Sequence, residues 1–88
     1  LSNQWYNLAK QNQSFDFMVL SDKQMLFDPQ KGIEKEKFPE FAEQCKTVLQ
    51  TKENGKVLRI LGKLCAVSVE QNEKSGWFLV QYMPISKL

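Results

Sequence analysis

Histidine is absent from all 88 residues. Without it the chain cannot build a Ser-His-Asp or Cys-His nucleophilic site, and it lacks the commonest transition-metal ligand. Arginine occurs once, at Arg59, and scattered lysines carry the rest of the net charge of +2. There is no basic stripe interleaved with aromatics, so no nucleic-acid partner is expected. The carboxylates are dispersed and form no paired motif of the kind that acid–base catalysis leaves. Gly55, Gly62 and Gly76 stand singly at turn positions, so they form no loop that could cradle a phosphate. These absences predict a chain with no catalytic residues, no metal site and no cofactor. No apolar run approaches the roughly 20 residues of a membrane-spanning helix.

What remains is the composition of a globular domain, 42% hydrophobic and 25% charged. A chain of this size buries only roughly 60–65% of its unfolded surface, enough for a single core, so residues 1–88 are read as one domain. The start, Leu1-Ser2-Asn3-Gln4, resembles neither a signal peptide nor a natural N-terminus. It leads us to expect a piece of a larger protein.

The pattern is clearest in Ser75-Gly76-Trp77-Phe78-Leu79-Val80-Gln81-Tyr82-Met83-Pro84. A Ser-Gly turn opens into an aromatic and aliphatic run that ends at a proline, which predicts a strand. Trp77, Leu79, Gln81 and Met83 alternate with Phe78, Val80 and Tyr82, and neither set is polar. A central strand covered on both faces is therefore expected.

Upstream, Trp5, Leu8 and Ala9 in Leu1–Gln11 have helical spacing. Phe15–Leu20 and Met25–Phe27 flank the turn residues Ser21-Asp22-Lys23-Gln24 and predict a hairpin that stops at Asp28-Pro29. Phe38, Phe41, Ala42, Cys45, Val48 and Leu49 form one apolar stripe of a helix, with Pro39 tolerated in its first turn. Val57–Leu61 and Leu64–Val69 predict two further strands joined by Gly62-Lys63. The element order is helix, two strands, helix, three strands, which specifies an α+β fold: a five-stranded antiparallel sheet with helices packed on it, profilin-like in its order of elements.

Two cysteines have two open readings. Cys45 on the helix stripe and Cys65 in a strand act as free buried thiols, or they form a disulfide in an oxidising compartment.

Three segments together resemble the Cache family of PAS-like extracytoplasmic sensor domains found in bacterial chemoreceptors, histidine kinases and diguanylate cyclases. They are the hairpin Phe17–Pro29, the strand Ala66-Val67-Ser68-Val69, and the Gly-Trp strand Ser75–Pro84. The chain departs from the pattern where Gln24 replaces the common turn glycine and where the N-terminal helix is short. The resemblance implies a membrane-tethered, extracytoplasmic module that binds a small metabolite, often a carboxylate or amino acid, between the sheet and the segment linking the second and third strands. Flanking helices would dimerise it and carry the signal.

Arg59 is the candidate for carboxylate capture because its planar fork suits bidentate binding. Tyr82 and Trp77 are candidates for the pocket wall, with core packing as their competing reading. Two alternatives stand beside the sensor. One is a Roadblock/LC7-like dimeric scaffold for small GTPases or motor components, which shares the element order, and the other is a structural Cache half that binds nothing.

Overall fold

Five antiparallel strands and one α-helix account for most of the computed structural model, which describes residues 15–51 and 56–87. The expected N-terminal helix of Leu1–Gln11 and the turn around Gly55 lie outside the described residues. The elements are β1 (Asp16–Leu20), β2 (Met25–Phe27), α1 (Phe38–Thr51), β3 (Lys56–Ile60), β4 (Lys63–Gln71) and β5 (Phe78–Pro84). Short 3-10 turns at Lys35–Lys37 and Ile85–Lys87 precede α1 and follow β5. The sheet order is β2-β1-β5-β4-β3, so the last strand lies at the centre, between the first and fourth. Among the described residues no helix is long and apolar enough to cross a membrane.

Each turn sits where its local chemistry closes it. The Ser21 hydroxyl accepts the N–H groups of Lys23 and Gln24 at 3.1 and 3.0 Å and so holds the β1–β2 hairpin without a turn glycine. The register then slips, with Val19 opposite Phe27 but Leu20 opposite Met25, which leaves Leu26 as the extra residue of a bulge. Between β4 and β5 the Asn72 side chain accepts from the N–H of Lys74 and of Ser75, both at 2.9 Å. Gly76 then turns the chain at φ 77, a conformation that costs glycine little. The β3–β4 connection differs from the expected Gly62-Lys63. Leu61 (φ 55) and Gly62 (φ 72) are the two turn residues. Two successive positive φ values give a turn whose twist matches the flanking strands, so Lys63 is released into β4 and Leu61 leaves β3.

Register separates the two faces. Met18 lies opposite Val80, Val69 opposite Val80, Val67 opposite Tyr82, and Leu58 opposite Cys65, so these side chains share one face. Against it α1 buries Phe38, Phe41, Ala42, Cys45 and Val48, which makes one core cluster among the described residues. The predicted stripe is thus the packed one, with Pro39 in the first turn. The expectation of cover on both faces holds on the α1 side, where Phe78 and Val80 are buried. On the opposite face Trp77 is 49% exposed and the stacked Phe17–Phe27 pair, with centroids 5.4 Å apart, is 45% and 46% exposed. Met83, Ala66 and Ser68 on that face are nonetheless buried.

Both cysteines are buried and free, which settles the open pair in favour of unlinked thiols. Burial raises the Cys45 thiol from 9.0 to about 12 and also raises Cys65, against an opposing backbone hydrogen bond with Ile60 and the charge of Lys63.

Candidate functional site

After β2 the chain must return to start α1, and its route creates a cleft. Pro29 follows Asp28 into a turn closed by the Lys31 N–H on the Asp28 carbonyl at 3.0 Å. The Asp28 carboxylate then accepts the N–H of Gly32 at 3.1 Å and of Ile33 at 3.3 Å. These bonds satisfy backbone donors of a segment that belongs to no regular element. Held in this way, the strap crosses from the β2 edge of the sheet to the β3 edge, where the Gly32 carbonyl accepts the Leu61 N–H at 3.3 Å. Gly32 is required there for space: a Cβ would stand 2.8 Å from Ile60 Cγ2, a stiff buried side chain.

Between the strap, the first turns of α1 and the β3–β4 hairpin lies a cleft of about 580 Å³. Arg59 lines it together with Lys31 and Lys37, and Glu34 and Glu40 also contribute. The Arg59 guanidinium donates one hydrogen bond to the Gly62 carbonyl at 2.9 Å, which ties its fork to the hairpin beside the cleft. A guanidinium has five N–H donors, so this bond leaves capacity for a bidentate anion. Cations and carboxylates together suit a small polar anion or a zwitterion.

The three residues predicted for a binding site do not come together. Arg59 lines the strap cleft. Trp77 lies by the opposite end of the sheet, beside a separate depression shared with Asp22, Lys23 and Lys46. The length of β4 separates those ends, roughly 25 Å at strand rise. Tyr82 lies beneath α1, paired across β1 and β4 with Asp16 and Val67, and is 2% exposed. Its hydroxyl has no hydrogen-bond partner among the described residues, and burial first, then the charges of Asp16, Asp28 and Cys65, push it up to about 12. It does not line the cleft.

Lys31 and Lys37 were not singled out from the sequence, and Asp28 was read there as the end of the hairpin, not as the anchor of a strap. A signal existed in Asp28-Pro29 followed by Gly32, since an Asp can accept backbone N–H groups a few residues on, but the pattern is equally that of any strand end. Among the described residues, no group of three or more Cys, Asp or Glu is placed to hold a metal ion. No family model matches the chain, and neither a curated protein nor a solved structure is similar to it at a significant level.

Proposed function

We propose that this chain is a ligand-sensing module of the Cache type, PAS-like in topology, and that a small carboxylate or amino acid docks in the strap cleft against Arg59. One observation carries the reading. The strap linking the second and third strands is pinned by Asp28 over the end of the sheet, and the chain's single arginine stands at the cleft it encloses. In this reading Lys31 and Lys37 add positive field for the anion, and Glu34 and Glu40 receive an ammonium group when the ligand is an amino acid. Ligand contacts with the strap would then reposition the first turn of α1. The extracytoplasmic location, membrane tether and homodimer formation through flanking helices belong to the same proposal and rest on the resemblance alone.

The test is a thermal-shift screen of amino acids and dicarboxylic acids on the wild-type chain and on Arg59→Ala. A ligand at 100 times its Kd adds about 2.7 kcal/mol, a rise of roughly 10–20 °C for a domain of this size. Arg59→Ala removes the shift and leaves the unliganded melting temperature within a few degrees, because an exposed charge contributes little to stability. A shift that survives Arg59→Ala removes Arg59 from the site. A screen without any shift favours the structural, non-binding half.

A further inference from the structure

We propose that residues 1–14 of this chain dock as an amphipathic cover on the sheet face opposite α1, with Trp5, Leu8 and Ala9 set over Met83, Ala66 and Ser68. This inference does not depend on a small ligand in the strap cleft. It starts from a burial for which the described elements do not account. Register turns Met83, Ala66 and Ser68 away from α1, because their neighbours Tyr82 and Val67 face it. They are nevertheless only 1%, 3% and 4% exposed. An antiparallel sheet can leave one face to water, and a methionine on such a face stays exposed until another element lies over it. The burial is achieved within one chain, so the cover belongs to the chain itself.

The described elements lie elsewhere. α1 and the strap are on the other side, where Phe41 and Cys45 join the core and Gly32 adjoins Ile60 and Met18. The turn Ile85–Lys87 follows β5 just past Met83, but Ser68 pairs with Gln81, four residues before Ile85 and roughly 13 Å away at strand rise. Ser68 also has a described strand on one side only, because the β3 ladder ends with Lys56 opposite Val67. Outside the described residues, 52–55 carries no apolar side chain and Leu88 is a single residue. Residues 1–14 are what remains.

The segment fits in attachment, length and pattern. β1 enters the sheet with Asp16 opposite Tyr82, so Phe15, one residue earlier, starts beside Met83 at one end of the buried strip. From β1 across β5 to β4 is two strand spacings, about 10 Å. Residues 1–11 as a helix span about 16 Å, enough to pass over both strands. Asn12-Gln13-Ser14 supplies polar residues for the reversal into β1. Leu1, Trp5, Leu8 and Ala9 share one stripe at helical spacing, and Lys10 is the one charged side chain of the segment. Ala66 and Ser68 are small and successive on this face of β4, so they make a floor that a bulky indole can approach closely. Phe17 on β1 and Val57 on β3 flank the strip and are 45% and 46% exposed, which limits the cover to about the width of one helix. A helix this short is marginal alone, so docking supplies its stability.

The test is oxidation of the whole chain by hydrogen peroxide, followed at each methionine by mass spectrometry. Met18 is buried on the α1 side and Met25 is partly exposed, so they serve as the protected and the reactive reference. We expect Met83 to react as slowly as Met18 in the wild type. In the double variant Trp5→Asp, Leu8→Asp the Met83 rate is expected to rise roughly tenfold or more, the factor that a loss of about 1.4 kcal/mol in local protection gives, while Met18 stays slow. Protection of Met83 that survives the double variant overturns the proposal, as does a wild-type Met83 that reacts like Met25. If Met18 and Met83 accelerate together, the variant has unfolded and nuclear Overhauser contacts in the wild-type chain decide. Contacts from the Trp5 indole to the Met83 and Ala66 methyl groups support the docking, and their absence overturns it. Protection of Met83 that grows with protein concentration also overturns it and assigns the face to a second copy.

Discussion

Tyr82 combines near-complete burial with a hydroxyl that has no hydrogen-bond partner among the described residues. A buried donor left unsatisfied costs about 1–3 kcal/mol, so Tyr82→Phe is expected to match or exceed the wild type in stability at pH 7, by up to about 1 kcal/mol. The alkaline limb gives an independent check. Tyr82 is raised from 10.0 to about 12 in the fold, so the folded state retains its proton where the unfolded chain gives it up. Its contribution is complete below pH 10 and declines as pH rises toward 12, by about 1.4 kcal/mol per pH unit. Urea titrations at pH 7 and near pH 11 should show the advantage of Tyr82→Phe widening with pH. A loss above about 1 kcal/mol at pH 7 would show that the hydroxyl is satisfied in solution. Cys45 acts in the same direction from 9.0 upward, and it titrates equally in both proteins, so the difference isolates Tyr82. Arg59 shows the limit of residue-level reading. Its uniqueness singled it out, but only the fold reveals that its guanidinium is tied to the hairpin and lines a cleft.

At the scale of the element, the β3–β4 hairpin is a place where local sequence and local conformation disagree, as they also do at Lys31 (φ 50) in the strap. Leu61 holds φ 55, a region that costs a branched residue about 1 kcal/mol and that asparagine enters readily. Leu61→Asn would place Asn-Gly in the turn, the pair this geometry prefers, and is expected to raise stability by about 0.5–1 kcal/mol in denaturant titration. A destabilisation of that size would instead show that the exposed Leu61 side chain gains more by covering the strap cleft than its backbone loses. The turn was mislocated from sequence for the same reason. Gly62 marked the reversal, but glycine can occupy either turn position, and nothing in Leu61 advertises positive φ. By contrast, α1 was legible almost residue by residue, because its 3.6-residue apolar period persists over three turns, longer than chance spacing supports.

For the whole molecule, burial of the α1 side of the sheet holds the parts together. Phe78 begins β5 at the centre of the sheet, is 4% exposed and belongs to the cluster closed by α1. Phe78→Ala is expected to cost about 3–5 kcal/mol, a large share of the stability of a domain this small. A loss below about 1 kcal/mol in urea would show that the central strand does not carry the core.

The sequence by itself determined the α+β class, the five strands and their alternation, the packed stripe of α1, and the lack of any histidine-based site, because periodicity and residue type are properties of short segments. The central position of β5 was legible in its two apolar faces, but tertiary structure alone decided that its neighbours are β1 and β4, since strand neighbours are chosen by which apolar faces can be buried together. It also decided that Asp28 pins a strap against β3. A carboxylate finds its backbone donors only after the chain has turned, and Gly32 approaches Ile60 only because the strap brings it to the β3 edge of the sheet. Arg59, Trp77 and Tyr82 were grouped by residue type alone. The fold separates them because strand direction and side-chain alternation send one to the cleft at the β3 end, one to the far end of the sheet, and one into the core.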